Sequence, residues 1–156
     1  MTVYRFPYCR HRSDKNADPI LQFKNEPLLD VGLLNKKNEK QTKVITYIDT
    51  GSQWCLFDKQ YAYCLGIRNY DSGQRYPFGG VGGPNANAAY FHDLTLIVYT
   101  QPNKLDFDTA IKIDTKIGFV EKEFGFGGIL GVYGFLDRFV FTTNIPQCYF
   151  ELKNIL

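Results

Sequence analysis

Apolar and polar segments alternate along the chain, and the apolar ones have the length of β-strands. Residues 28–34 are mostly apolar, residues 35–42 are polar, and residues 43–48 are again rich in β-branched and aromatic side chains. Two apolar arms around a polar connection predict a β-hairpin, whose second arm is a buried strand over 44–48. Residues 89–100 form the longest segment of this kind and predict a further strand.

Weaker patterns predict more strands and two short helices. Residues 104–113 alternate apolar and polar side chains with a period of two, which predicts a strand. The other short apolar segments are residues 20–23, 118–123, 126–131, 140–141 and 149–152. Asp58 is suited to begin a short helix that ends at Gly66, and residues 134–139 fit one or two helical turns. These patterns predict an all-β, or at least β-rich, single domain over residues 1–156.

The composition is that of a globular protein with one core. Of the 156 residues, 44% are hydrophobic, 22% charged and 16% aromatic. The large aromatic residues predicted to lie in the core are Trp54, Phe57, Phe135 and Phe139. A net charge of +2, with Lys and Arg spread along the chain, argues against a nucleic-acid partner. The apolar runs are too short to span a membrane and the N-terminus lacks the apolar region of a signal peptide, so we expect no membrane partner and a cytoplasmic location.

The cysteines and histidines form no familiar metal or catalytic pattern. The four cysteines are Cys9, Cys55, Cys64 and Cys148, which are widely separated and include no C-x-x-C pair. We therefore predict reduced thiols, no metal site and no cofactor. Ser52 has no plausible histidine partner, so a serine hydrolase is not expected.

The predicted buried strand 44–48 ends at Asp49-Thr50-Gly51-Ser52. Glycine allows a tight turn at this point, and the small hydroxyl side chains can bond to nearby backbone groups. A charged carboxylate at the end of an apolar strand is costly to bury without a partner. Taken alone, the segment fits either a solvated Asp that opens a turn or an acid with a function.

Four glycines around one valine, G-G-V-G-G, occupy residues 79–83 between two apolar segments. A phosphate-binding loop would need a helix after the glycines, and residues 89–100 predict a strand instead. Two interpretations remain open at this stage. The segment is either an ordinary loop or the mobile tip of a hairpin that closes over a ligand.

Three motifs occur in a fixed order: D-T-G-S at 49–52, G-G-V-G-G at 79–83, and I-L-G at 129–131 followed by G-F-L-D-R-F. In this order and at these spacings they resemble the retropepsin-like aspartic proteases, the family of the retroviral proteases, and in particular its small prokaryotic members. The resemblance runs from about residue 27 to residue 153. It implies a closed β-barrel or sandwich that is active as a dimer, with residues 1–26 as an N-terminal extension.

The resemblance also implies a role for each motif. Asp49 would be catalytic, in a turn made with Gly51 and supported by Ser52, and Thr50 would grip its counterpart across the dimer. The segment expected to pack under the catalytic loop consists of Ile129, Leu130 and Gly131. The flap over the substrate would consist of Gly79, Gly80, Val81, Gly82 and Gly83.

The catalytic reaction implied by the resemblance needs two carboxylates, but the chain has only one D-T-G motif. Asp114 lies in a similar I-D-T segment, but Lys116 stands where the turn needs glycine, so Asp114 is predicted to be a surface residue. The dyad would therefore take Asp49 from each of two chains, in a symmetric homodimer. Two adjacent carboxylates share one proton, so that one activates a water and the other polarises the peptide carbonyl. This reaction is that of an aspartic endopeptidase with a peptide or protein substrate.

One departure from the family keeps an alternative open. Many retroviral members carry an Arg directly after the I-L-G motif, paired with an Asp shortly after D-T-G. Here the corresponding residues are Val132 and Ser52-Gln53-Trp54, so this ion pair is absent. The alternative is a catalytically weak or inactive dimeric relative that binds extended peptides in the same cleft.

Overall fold

The structure is a computed structural model that describes residues 1–80 and 82–155. Within them it has twelve strands, one α-helix and three 3-10 helices. The strands are β1 (Val3–Pro7), β2 (Cys9–Arg12), β3 (Phe23–Glu26), β4 (Leu28–Asn35), β5 (Lys40–Ile48), β6 (Leu56–Asp58), β7 (Gln74–Gly80), β8 (Gly83–Val98), β9 (Ile111–Val120), β10 (Gly128–Leu130), β11 (Phe139–Asn144) and β12 (Tyr149–Asn154). The helices are α1 (Gln60–Cys64) and the 3-10 helices Pro19–Leu21, Tyr70–Ser72 and Leu136–Arg138. The predicted all-β class is confirmed.

A closed barrel forms the centre of the fold. Seven strands make one mixed sheet in the order β4-β5-β10-β6-β9-β8-β7. Because β4 also pairs with β8, the sheet closes on itself, and β7 extends from β8 outside the ring. The interior is filled by fully buried side chains, among them Leu33, Phe57, Leu96, Ile117, Phe119 and Leu130. The closed barrel expected from the resemblance is therefore present.

The predicted hairpin over 28–48 is formed by β4 and β5. The two strands pair antiparallel from Leu28 opposite Tyr47 to Asn35 opposite Lys40. On β5, Val44, Thr46 and Ile48 are buried, as the period of two requires. The buried hydroxyl of Thr46 donates a hydrogen bond of 2.8 Å to the Leu29 carbonyl, so it costs little in the core.

The N-terminal residues contribute to two further sheets. β1 pairs with β12, which in turn pairs with β11, and the rings of Phe6 and Phe150 stack at 5.4 Å between centroids. Both rings are buried, so β1 covers part of the core. β2 and β3 pair with each other in a separate two-stranded sheet.

Two predicted strands are right only at their C-terminal ends, since residues 111–113 belong to β9 and Phe23 begins β3. Residues 104–110 form turns, and the strand β9 begins only at Ile111, so Leu105 and Phe107 are exposed. Phe107 instead lies under the Lys112 ammonium group, 3.8 Å from the ring centroid. The segment predicted as a strand over 20–23 begins as a 3-10 helix, because Pro19 takes its first position and Asp18 accepts a hydrogen bond from the Ile20 N–H.

The predicted short helix between Asp58 and Gly66 is present as α1. The Asp58 carboxylate accepts a hydrogen bond of 3.0 Å from the Gln60 N–H at its start. Gly66 ends it with φ of 75°, a conformation that favours glycine. No helix in residues 1–80 or 82–155 is both long and apolar enough to cross a membrane.

Candidate active site

Asp49 lies directly after β5, in a turn that the neighbouring strand β10 supports. β5 and β10 run parallel, with Ile48 opposite Leu130. The pairing continues into the turn, since the Asp49 N–H donates a hydrogen bond of 3.0 Å to the Leu130 carbonyl. The Asp49 carboxylate accepts one of 2.9 Å from the Gly51 N–H. The half-buried carboxylate is thus held in one orientation by its own turn.

The residues after Asp49 continue this turn toward the surface. Thr50 and Gly51 are exposed, and Ser52 is half-buried. The Ser52 N–H donates to the Asp49 carbonyl at 3.2 Å, and its hydroxyl donates to the Trp54 carbonyl at 2.8 Å. Ser52 therefore bonds to residues on both sides of it in the loop.

Residues 129–133 pack against the same loop. The Val132 N–H donates to the Ser52 carbonyl and the Tyr133 N–H to the Gln53 carbonyl, each at 2.9 Å. Gly131 lies so close to the loop that a Cβ atom there would be 2.4 Å from the Trp54 carbonyl oxygen. Only glycine fits without a shift of backbone. Ile129 and Leu130 belong to β10, opposite Tyr47 and Ile48 of β5.

Gly79, Gly80, Gly82 and Gly83 lie where β7 ends and β8 begins, at the tip of the β7–β8 hairpin. Gly80 pairs with Gly83, and the strand register shifts between Phe78 and Gly80. Gly83 has φ of 97°, which favours glycine. A Cβ on Gly79 would lie 2.8 Å from the Gly83 carbonyl oxygen, so this side of the tip has no room for a side chain. Gly82 is exposed, and Val81 lies outside the described residues.

The base of this hairpin is tied to β9 by a charged network. Arg75 on β7 contacts Glu121, the residue after β9, at 2.8 Å, and the Tyr90 hydroxyl on β8 donates to Glu121 at 2.9 Å. The hydrogen bond from Arg75 lowers the pKa of Glu121, and the hydrogen bond from the Tyr90 hydroxyl lowers it further. Accordingly, the pKa of Tyr90 is raised, chiefly by its bond to Glu121. These contacts fix the base of the hairpin and do not involve its tip.

A cavity of 420 Å³ lies between the hairpin and the loop that follows Asp49. Its lining residues are Trp54, Gln74, Tyr76, Phe91, Thr115, Lys116 and Tyr133. The Trp54 ring is 5.0 Å from Tyr76 and 5.8 Å from Phe91 between centroids. The prediction that Trp54 is a core residue is therefore only partly right, whereas Phe57, Phe135 and Phe139 are buried as predicted.

Sequence reasoning did not find Tyr76 and Tyr133 as members of this site. Their only sequence signal is position, since Tyr76 precedes the glycine segment by three residues and Tyr133 follows Gly131 by two. Asp114, by contrast, is the surface residue that was predicted. It contacts the Lys36 ammonium group at 2.6 Å and accepts from the Thr95 hydroxyl, and the Lys36 bond lowers its pKa.

No group of three or more His, Cys, Asp or Glu side chains within residues 1–80 and 82–155 is placed to hold a metal ion. The four cysteines are free thiols, and burial raises the pKa of Cys55 to about 12. Such a thiol is a poor nucleophile.

The chain matches no protein-family model and no curated protein sequence. Its fold is similar to that of a retropepsin-like aspartic protease from Rickettsia conorii, with a TM-score of 0.57 and 16% identity over 97% of this chain and 91% of the other. The retroviral protease-like domain of Ddi1 from Leishmania major matches 83% of this chain and 94% of its own, with a TM-score of 0.47 and 13% identity. The similarity to the Rickettsia structure shows that the fold is retropepsin-like, which confirms at the level of the fold the resemblance found in the sequence.

Proposed function

We propose that the protein is an aspartic endopeptidase that is active as a homodimer. The observation that carries the proposal is the orientation of Asp49: its carboxylate is held by the Gly51 N–H at 2.9 Å, at the surface end of a buried strand, in a chain with the retropepsin-like fold. A rigid and accessible carboxylate is suited to receive a proton from a water molecule. Thr50 and Gly51 are exposed beside it, where a second copy of the turn can approach.

In the proposed dimer, the two Asp49 carboxylates meet at the two-fold axis and share one proton. The ionised carboxylate takes a proton from the attacking water, and the protonated one donates a hydrogen bond to the peptide carbonyl oxygen. The glycine hairpins close over the substrate, exclude bulk water and offer backbone N–H groups to the peptide. The substrate is a peptide or protein segment in an extended conformation.

A second candidate function is favoured by one observation. Val132 occupies the place where many retroviral members have an ion-pairing Arg, and its backbone N–H donates a hydrogen bond of 2.9 Å to the Ser52 carbonyl. A less firmly held dimer would give a weak or inactive relative that binds extended peptides in the same cleft. The cytoplasmic location and the lack of nucleic-acid or membrane partners stay predictions.

The decisive experiment compares Asp49→Asn with Asp114→Asn in a cleavage assay on a peptide library, with a pepstatin-like inhibitor as a further control. Asn is isosteric and can still accept from the Gly51 N–H, so both variants should fold. Loss of a catalytic base should lower hydrolysis by about two to four orders of magnitude in Asp49→Asn. Asp114→Asn should keep wild-type activity, because the Asp114 carboxylate that it removes is exposed on the surface. Cleavage by the Asp49→Asn protein at the wild-type rate would exclude Asp49 as catalytic.

A further inference from the structure

A cavity of 220 Å³ lies between the start of β9 and the 3-10 helix Leu136–Arg138. It shares no lining residue with the cavity beside the glycine hairpin. Its apolar lining residues are Ile111, Ile113 and Phe139, and its polar ones are Lys112, Asp114, Arg138 and Asn154. Two of the polar residues are cations, and cations that line a cleft attract negatively charged ligands.

Neither cation of this cavity has a well-formed ion pair. The Lys112 ammonium group lies over the Phe107 ring, and no carboxylate of residues 1–80 or 82–155 pairs with it. The Arg138 Nε atom is 3.5 Å from the Asp137 carboxylate, and it is buried without a hydrogen-bond partner. The same carboxylate accepts a hydrogen bond from the Gly134 N–H at 3.1 Å. A buried N–H without a partner destabilises a protein, and such groups are rare.

The other cations on this face of the barrel are paired with acids. Lys116 contacts Asp93 at 2.7 Å. One carboxylate oxygen of Asp114 contacts Lys36 at 2.6 Å, and the other accepts from the Thr95 hydroxyl at 2.7 Å. The acid in the cavity lining is therefore already neutralised, and the positive charge that is left at the cavity belongs to its two cations.

We propose that this cavity binds a phosphate group, with Lys112 and Arg138 as its two cationic ligands. A phosphomonoester carries a charge of about −1.5 to −2 at pH 7, which two cations balance. A guanidinium can donate two parallel hydrogen bonds to a phosphate, and an ammonium group adds a point charge. The Arg138 side chain is 40% exposed, so its terminal nitrogens are accessible.

The ligand is either free phosphate or a small phosphorylated molecule, because the apolar part of the lining can contact an organic substituent. The site takes no residue from the Asp49 loop or from the glycine hairpin. The proposal therefore does not depend on the proposed peptidase function, and each can fail without the other.

The helix that carries Arg138 is bonded to the segment under the Asp49 loop. The Leu136 N–H donates to the Gly131 carbonyl at 3.1 Å, and the Asp137 N–H donates to the Val132 carbonyl at 2.9 Å. A ligand that holds the guanidinium restrains this helix. Hydrogen exchange at the Leu136 and Asp137 amides should therefore become slower when phosphate is bound.

The direct test is titration of the full chain with inorganic phosphate, and separately with glycerol phosphate, by calorimetry at an ionic strength held constant with sodium chloride. We expect a Kd of about 1 mM or lower for at least one of the two. Lys112→Gln and Arg138→Gln should each weaken binding roughly tenfold or more, since each removes a charge-assisted contact. Arg138→Lys keeps the charge but not the paired donors, so its affinity should lie between those of wild type and Arg138→Gln.

Lys116→Gln and Arg68→Gln are the matched controls and should bind as the wild type does. Lys116 lies on the same strand as Lys112 but is paired with Asp93, and Arg68 is exposed outside the cavity. Thermal unfolding checks that each variant folds. If Arg138→Gln does not fold, the exposed Lys112 still decides the question.

The preferred ligand identifies the source of the phosphate group. Tighter binding of glycerol phosphate would indicate a small phosphorylated molecule, and equal or weaker binding would indicate free phosphate. The proposal would be overturned by a Kd above roughly 10 mM for both ligands. Unchanged affinity in Lys112→Gln, or an equal loss in Lys116→Gln, would also overturn it, because binding would then come from general surface charge.

Discussion

Gly131 is a residue of the candidate active site that has no room for a side chain. A Cβ there would lie 2.4 Å from the Trp54 carbonyl oxygen and 2.7 Å from that of Ser52, and both are backbone atoms. We expect Gly131→Ala to lower the free energy of unfolding by about 1–3 kcal/mol, the usual cost of overpacking. It should also reduce turnover, because the loop that orients Asp49 must move. Chemical denaturation and the peptide assay would measure the two effects. An unchanged unfolding midpoint would contradict the close packing.

Single residues were predictable from sequence where their chemistry is local. The Asp49 turn follows from an apolar strand, an acid and a glycine in succession, and its hydrogen bond to the Gly51 N–H spans two residues. The hydrogen bond between the Tyr133 N–H and the Gln53 carbonyl joins residues 80 positions apart. Because it is a bond between backbone groups, the identities of the two side chains do not predict it. Periodicity carries no information about such a pairing.

The glycine hairpin allows a prediction about an element. Gly80 has no atom within 4 Å of an added Cβ, whereas a Cβ on Gly79 would be 2.8 Å from the Gly83 carbonyl oxygen. Gly80→Ala should therefore change the free energy of unfolding by less than about 0.5 kcal/mol, as surface substitutions usually do. If the tip closes on substrate, Gly80→Ala should still reduce turnover.

Gly79→Ala provides the comparison, since it should disturb the tip in the free protein as well. Thermal unfolding and steady-state kinetics of both variants would separate the two effects. Wild-type turnover in Gly80→Ala would indicate an ordinary loop at this position.

At the scale of elements, the sequence predicted strands well where alternation coincided with burial. β4 and β5 are such a case, with Val44, Thr46 and Ile48 all facing the core. Residues 104–110 show the same alternation without burial, since Leu105 is 47% exposed and Phe107 is 39% exposed. A period of two in a short segment does not distinguish a strand from a turn that carries two apolar side chains. Asn103 has a φ of 59°, a left-handed conformation typical of turns, and the alternating pattern of apolar residues does not predict it.

The closed barrel depends on pairings that no local pattern reveals. β4 pairs with β8 through Val31 opposite Val98, and these residues are far apart in the chain. The sequence suggested closure only through the resemblance of its three motifs to a known family. The expected homodimer likewise rests on the resemblance alone, because the hydrophobic periodicity of one chain does not predict a catalytic dyad formed by two chains.

The whole-molecule prediction concerns this assembly. The protein should sediment near twice its 18.0 kDa chain mass at high concentration, because one chain offers one D-T-G carboxylate. Wild-type and Asp49→Asn chains should then be mixed and allowed to exchange. If each site needs Asp49 from both chains, activity at a 1:1 ratio should fall to roughly a quarter of that of the same total amount of wild-type protein.

Independent active chains would instead retain roughly half of the activity in this mixture, since dilution alone would lower it. Asp114→Asn chains mixed in the same ratio are the control and should leave activity unchanged, because this exposed carboxylate is paired with Lys36 on the surface. Removing two carboxylates that are forced together should also leave the Asp49→Asn dimer at least as stable as the wild type near neutral pH. A much weaker dimer in that variant would show that Asp49 serves mainly to hold the interface. A linear decrease of activity with the wild-type fraction would rule out the shared dyad.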